Sequence, residues 1–106
     1  MAKFLIAASY TPEGLRGLAK DKASGRRKAV QDALAALGGK LESIYWAFGE
    51  SDAFVICDCP DNITAAALSL AVSAVGLVRT TTTPLLTAEE VDQAMAKSVS
   101  IRVPGA

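Results

Sequence analysis

Strand and helix patterns alternate along this chain in an order that few folds accommodate. Short segments rich in β-branched and aromatic residues are bounded by turn residues, and longer segments carry apolar residues three or four positions apart. We predict strands over residues 3–10, 40–48, 52–59 and 77–85, and helices over residues 12–21, 24–37, 61–75 and 87–97. Residues 99–103 have the composition of one more short strand.

Local signals mark where the first two helices begin. Thr11 is a suitable N-cap and Pro12 suits the first helical position. Gly14 and Gly17 lower the helix propensity that follows, so we expect this helix to be short and loosely held. Ser24 is a suitable cap for the second, longer helix.

Two further signals define the topology. Thr87 and Glu90 have the spacing of a capping box at the start of the last helix, and residues 49–51 predict a hairpin turn. A β-α-β-β-α-β order is the split βαβ, or ferredoxin-like, arrangement, in which a four-stranded antiparallel sheet carries its helices on one face. We therefore predict a single α+β domain over residues 1–106, with residues 98–106 as a short tail.

Both faces of the predicted sheet are apolar. The first strand places Phe4, Ile6 and Ala8 on one face and Leu5 and Ala7 on the other. The helices can cover only one face, and monomers rarely expose so large an apolar patch. We expect a second copy of the chain to cover the other face, so that two sheets close a barrel in a homodimer or a higher even-numbered oligomer.

Composition argues against several classes of function. The chain has 11 basic residues, 11 acidic residues and no histidine. The absence of an imidazole excludes a Ser-His-Asp triad, a histidine-ligated haem and a histidine-based zinc site. Balanced charge disfavours nucleic-acid binding. The apolar run at residues 4–8 is too short for a signal sequence or a membrane span, so we expect a cytoplasmic protein without nucleic-acid or membrane partners.

Two small clusters have both an ordinary and a functional interpretation. Cys57 and Cys59 could form a soft-metal or redox pair, but nothing completes a tetrahedral shell, so we interpret them as buried thiols and predict no metal and no cofactor. A basic run at a helix start could hold an anion or could be a solvated loop. It comprises Lys20, Lys22, Arg26, Arg27 and Lys28.

Three segments together resemble the GYD domain family of small bacterial proteins. They are LAALGGKLES at residues 34–43, YWAFGESDAFVICDCPD at residues 45–61 and VGLVRTTTTPLL at residues 75–86. The resemblance covers about residues 3–97 and implies a dimeric α/β-barrel type of ferredoxin-like fold, but no particular activity.

Individual positions of the family pattern can be located in this chain. Gly49 and Asp52 match the signature of the hairpin, whereas Ser51 stands where the signature has tyrosine. The resemblance therefore implies no role that needs a tyrosine hydroxyl at this position. The acid that precedes the Pro-Asp step corresponds to Asp58, and the arginine before the threonine run is Arg79.

Aromatic residues near strand ends are the candidates for ligand binding. They are Tyr10, Tyr45, Trp46 and Phe48. Aromatic surface with a few polar groups is typical of a ligand pocket. The same residues could instead pack in the core or between subunits, where Trp and Tyr are also enriched.

Charged residues on neighbouring strands are the candidates for chemistry. Asp58 or Asp52 could act as a general base in a barrel interior, with Tyr45 beside it. Arg79 could hold a carboxylate or a phosphate through two hydrogen bonds. The alternative is a structural ion pair or an aspartate that caps a turn.

Two functions follow from these patterns. The first is a homo-oligomeric module that binds a small organic molecule between subunits or has no ligand. The second is a small cofactor-free enzyme, isomerase-like or monooxygenase-like, that uses aspartate, tyrosine and arginine. A cavity lined by those three residue types would favour the enzyme.

Overall fold

The computed structural model describes residues 1–106 and places four strands in one antiparallel sheet. The strands are β1 (Ala2–Tyr10), β2 (Lys40–Trp46), β3 (Ala53–Cys59) and β4 (Val78–Leu85). The helices are α1 (Pro12–Ala36), α2 (Asn62–Ala74) and α3 (Ala88–Met95). The sheet order is β2-β3-β1-β4. This is the predicted α+β arrangement, and it is consistent with a ferredoxin-like fold.

Helix α1 is interrupted at Lys22, whose φ of 65° and ψ of 161° are not helical. The break separates residues 12–21 from residues 23–36, which confirms the prediction of two consecutive helical segments. The Thr11 hydroxyl caps the first segment and accepts a hydrogen bond from the Gly14 N–H at 3.1 Å. The predicted cap of the second segment was wrong, because the non-helical residue is Lys22 and Ser24 lies within the helix.

Side chains also cap the other two helices, and the capping box at the start of α3 is the one predicted. Asp61 accepts a hydrogen bond from the Thr64 N–H at 2.8 Å, and hydrogen bonding with the side chain and then the backbone of Thr64 lowers the pKa of the Asp61 carboxyl group. Thr87 and Glu90 form the capping box, with hydrogen bonds of 2.9 and 3.1 Å in the two directions. Helix α3 ends at Met95, two residues before the predicted end.

The connection between β2 and β3 is longer than predicted. Strand β2 ends at Trp46 and β3 begins at Ala53, so residues 47–52 form the loop instead of a tight turn at 49–51. Asp52 closes this loop, because its carbonyl accepts a hydrogen bond from the Ala47 N–H at 2.8 Å, and it also joins the loop to β1. Its N–H donates to the Ala8 carbonyl at 2.8 Å, and its carboxylate accepts from the Tyr10 N–H at 2.8 Å.

The main core lies between one face of the sheet and helices α1 and α2. Phe4 and Ile6 of β1 are buried with Val55 of β3, Leu34 of α1 and Ala65 of α2. Phe4 and Ile6 lie two residues apart on β1, and Val55 is paired with Ile6, so these side chains share one face of the sheet. Both helices cover this face, which we call the helix side. The opposite face of the sheet is the open face. None of the helices has the length and apolar character needed to cross a membrane.

The chain from residue 86 to residue 106, which we call the C-terminal arm, leaves this core. Every residue of the arm is exposed, and α3 makes at most marginal contact with the other helices and strands. The radius of gyration is 16.9 Å, whereas a compact chain of this length would have about 13 Å. The predicted strand at 99–103 was wrong, because no other segment runs beside the arm to pair with it.

The start of α1 depends on the absence of a side chain at Gly14. The Leu77 carbonyl accepts hydrogen bonds from the Thr11 N–H at 2.9 Å and from the Thr11 hydroxyl at 3.2 Å. A Cβ at Gly14 would collide with that same carbonyl oxygen, which is backbone and cannot rotate away. In contrast, a Cβ at Gly17 would meet no atom within 4 Å.

We therefore expect Gly14→Ala and Gly17→Ala to change stability in opposite directions. Gly14→Ala should lower the free energy of unfolding by about 2 kcal/mol, the usual scale of overpacking. Gly17→Ala should raise it by up to about 1 kcal/mol through helix propensity. Urea denaturation of both variants measures this, and equal effects would contradict the proposed clash.

Candidate functional site

A cavity of about 130 Å³ lies on the helix side of the sheet, between the sheet and helices α1 and α2. Hydrophobic residues make up 12 of the 15 that line it. Its floor includes Ile6 and Val55, and its walls include Val30 of α1 and Leu68 of α2. We call this space the helix-side cavity.

Small residues explain why this space stays unfilled. Ala8 and Ala53 stand on the sheet where larger side chains would reach the helices, and Ala29 and Ala33 face the same space from α1. Ala29 and Ala33 are exposed, so the cavity communicates with solvent along α1. The break at Lys22 also redirects α1 before it crosses the sheet.

A groove of about 320 Å³ adjoins the cavity between α1 and α2. Tyr10, Arg26 and Val72 line both spaces, so the two form one continuous region. Gly14 and Gly17 of the first helical segment border the groove. An elongated molecule could therefore extend from the cavity into the groove.

The cavity contains a few polar groups among its apolar walls. The Thr80 hydroxyl is buried without a hydrogen-bond partner. Ser69 of α2 lies beside it and is paired with the Thr82 hydroxyl at 2.6 Å. The indole N–H of Trp46 is also buried and unpartnered, although Trp46 packs beside the cavity rather than lining it. Unpaired buried donors and acceptors are costly, so the region has unused capacity for hydrogen bonding.

The open face carries an apolar centre with charged groups at both ends. Leu5 and Ala7 of β1 pair with Ile56 and Phe54 of β3, and Tyr45 of β2 pairs with Phe54. Leu5 and Ile56 are half-buried by their neighbours, whereas Tyr45 is 68% exposed. No helix covers these residues.

Asp58 belongs to an ion cluster at one end of the open face. The Lys3 ammonium group contacts the Glu42 carboxylate at 2.8 Å and the Asp58 carboxylate at 3.1 Å. These hydrogen bonds raise the pKa of Lys3 above its usual value, with the bond to Glu42 contributing most. The arrangement matches the structural ion-pair interpretation of Asp58, because its carboxylate already binds a cation, which it shares with Glu42.

The structure does not bring the predicted catalytic residues together within one chain. Asp58 pairs with Lys3 in the sheet, whereas Arg79 pairs with Ser9. Six residues along a strand separate these positions by about 20 Å. Tyr45 lies on the open face near the middle, and Asp52 holds the backbone of Tyr10.

The four aromatic candidates separate into two groups. Tyr10 lines the cavity and the groove, and Trp46 packs beside the same region. Tyr45 is on the open face, and Phe48 is fully exposed in the loop between β2 and β3. Only the first two can contribute to a site on the helix side.

The two cysteines are buried free thiols, as predicted. Both have no exposed surface and belong to the main core. Burial raises the pKa of the Cys57 thiol to about 12 and also raises the pKa of Cys59. The neutral thiol is a poor metal ligand and nucleophile. No three His, Cys, Asp or Glu side chains lie together in a metal-binding group.

Sequence reasoning missed the two polar groups that mark the cavity. Arg26 was one of five residues in a basic run, and Thr80 was one of four similar threonines. Parity could have placed Thr80 on the helix side, since it pairs with Ala8. No sequence signal distinguishes Arg26 from Arg27, because they are adjacent residues of the same type. Only the folded structure shows that Arg26 lines the cavity and Arg27 does not.

Comparison with known proteins gives one match. The model of the GYD domain family matches residues 4–95. No curated protein and no solved structure matches the chain. The matched range includes every strand and helix except the first two residues of β1. This chain therefore belongs to the GYD domain family.

Proposed function

We propose that this protein is a homodimeric module in which each subunit binds a small apolar molecule in its helix-side cavity. The observation that carries the proposal is an apolar cavity of about 130 Å³ with an unpartnered hydroxyl, that of Thr80, inside it. Concave apolar spaces with a few polar groups are the usual sites for small molecules.

The size of the cavity suits a small organic molecule better than water. An apolar cavity of about 150 Å³ in another protein stays dry and binds benzene. Here the helix-side cavity is of similar size, although it is open to solvent along α1, and the groove offers room for a substituent. Water in the cavity would have few partners, because 12 of its 15 lining residues are hydrophobic.

The open face supports the proposed dimer. Its four strands are at least seven residues long. Seven residues on each of four strands about 4.8 Å apart present about 440 Å² of surface. A stable interface buries about 800 Å² on each partner. Stacking the two open faces would therefore supply about half of the area that a stable dimer needs.

The C-terminal arm can supply the rest. It carries six exposed large hydrophobic side chains, none of which belongs to the hydrophobic core. They are Leu86, Val91, Met95, Val99, Ile101 and Val103. An arm that extends from one subunit and packs on the other would cover these residues and the rim of the open face together. We therefore infer that a second copy of this chain covers the open face.

The enzymatic alternative has less support. A general base would need to lie near Tyr and Arg at the cavity, but Asp58, Asp52 and Arg79 are absent from its lining. Asp58 is also held by Lys3. We therefore favour binding over catalysis.

A cavity-filling variant tests the binding proposal. Ala33 faces both the cavity and the groove, so Ala33→Leu should occupy part of the space. We expect the variant to gain about 1 kcal/mol of stability and to lose binding of benzene, the probe ligand. Amide chemical shifts in NMR spectra measure benzene binding, and thermal denaturation measures stability.

Ala35→Leu is the matched control. Ala35 is an exposed residue of the same helix that lines neither space, so this variant should bind benzene as the wild type does. Absence of benzene-induced shifts at cavity residues of the wild type would refute the proposed site. Equal shifts in wild type and Ala33→Leu would do the same.

A further inference from the structure

Arg26 is the one charged residue that lines the helix-side cavity. It also lines the groove, which places it where the two spaces join. The three ion pairs of the chain involve Lys3 and Lys28, and Arg26 takes part in none of them. Its side chain makes no hydrogen bond to another group of the chain. A half-buried guanidinium group with five donors therefore has no partner within the chain, beside an apolar space.

The surroundings of Arg26 add to its positive potential. The break at Lys22 makes Arg26 and Arg27 part of the first turns of the second helical segment, where the helix dipole disfavours cations. Lys28 follows and is neutralised by Asp32 at 2.6 Å. The positive charge is balanced for Lys28 but not for Arg26.

One acidic group comes near this region. Asp21 lines the groove, on the other side of the break, but it forms no ion pair with Arg26. The cavity itself is lined by no carboxylate. An anionic group of a ligand would therefore meet Arg26 without a competing acid inside the cavity.

From this arrangement we propose that the ligand is a monocarboxylic acid with an apolar body of about six to ten carbon atoms. This inference rests on the proposed function, because it assigns a chemical class to the ligand of the same cavity. The apolar body occupies the space above Ile6 and Val55, the carboxylate pairs with Arg26, and the Thr80 hydroxyl is available to a further polar atom of the ligand.

The chemistry of the site selects a carboxylate over other anions. Guanidinium and carboxylate groups match in two parallel hydrogen bonds, so one arginine suffices to hold one carboxylate. A phosphate group carries more charge and would leave part of it unpaired here, because no second cation lines the cavity. A neutral apolar molecule would leave Arg26 without a partner.

The test compares three probes of nearly equal shape: octanoate, octanamide and octylammonium. Isothermal titration calorimetry of the intact protein should show octanoate binding at least tenfold more tightly than octanamide, and no measurable binding of octylammonium. Arg26→Gln should weaken octanoate binding by about 30-fold and leave octanamide binding unchanged. Arg26→Lys, which keeps the charge but loses the planar fork, should fall between Arg26→Gln and the wild type.

Arg27→Gln is the matched control, because it removes the same charge from the neighbouring exposed residue, which lines neither space. It should bind octanoate as the wild type does.

Equal affinity for octanoate and octanamide, unchanged in Arg26→Gln, would overturn the assignment of a carboxylate while leaving the apolar site in place. Equal losses of octanoate affinity in Arg26→Gln and Arg27→Gln would show that only the overall charge of the region matters, and would also overturn the assignment. Failure of all three probes in a wild type that binds benzene would refute this ligand class, whereas failure of benzene as well would refute the site.

Discussion

Replacing Ile56 with aspartate is expected to convert the proposed dimer into monomers. Ile56 lies at the centre of the open face, between Leu5 of β1 and Ser43 of β2. In stacked sheets an aspartate there would be removed from water without a cation to pair with, at a cost of about 3 kcal/mol or more. The dissociation constant should then rise by about 150-fold or more.

Sedimentation velocity at micromolar concentration provides the measurement. The wild type should sediment at twice the 11.0 kDa mass of the chain, and Ile56→Asp at the mass of one chain. Ala66→Asp, which adds the same charge to the exposed side of α2, should remain a dimer. A wild type that sediments as a monomer, or an Ile56→Asp variant that dimerises normally, would remove the basis for covering the open face with a second copy.

Local chemistry accounts for the parts of the fold that the sequence predicts well. The caps at Thr11, Asp61 and Thr87 each act within three residues, so the chain needs no tertiary information to form them. The break in α1 was also predictable, because two glycines weaken the first segment. Its position at Lys22 differs from the predicted cap at Ser24 by two residues.

The failures occur where distant segments decide the outcome. The predicted turn at 49–51 is a six-residue loop, and Asp52 at its end binds β1, more than 40 positions away along the chain. Residues 99–103 have the composition of a strand, but strand formation requires a neighbouring strand, which this chain does not provide. Composition alone could not reveal either fact.

The candidate site was the hardest part to predict, because it is a cavity left by small side chains and not a set of residues with a recognisable pattern. Ala33 and Ala53 read as ordinary helix and strand residues, and their functional property is the space that their small side chains do not fill. Four aromatic residues were predicted as ligand-binding candidates, but only Tyr10 lines the cavity. The assignment of Asp58 to an ion pair required the position of Lys3, which is 55 residues away.

Introducing a charge on the apolar side of α3 should weaken the dimer without destabilising the subunit. Ala88, Val91 and Met95 lie three and four residues apart and form one side of this helix, whereas Gln93 lies on the other. If the arm packs on the partner, Val91→Asp places a carboxylate in that contact, at a cost of about 2 kcal/mol, or about 30-fold in the dissociation constant.

The matched control for this variant is Gln93→Asp, which adds the same charge to the polar side of α3 and should leave dimerisation unchanged. Because α3 has no buried residue in its own chain, neither substitution should alter the melting temperature measured at a concentration where the protein is monomeric. Sedimentation equilibrium gives the dissociation constants, and differential scanning fluorimetry gives the melting temperatures.

If Val91→Asp and Gln93→Asp had equal dissociation constants while Ile56→Asp abolished the dimer, the sheets would associate without the arm. If Val91→Asp lowered the melting temperature of the monomer, the arm would pack on its own subunit in solution. Weakened association with an unchanged melting temperature requires the apolar side of α3 to contact the other copy, because only that contact is lost on dissociation.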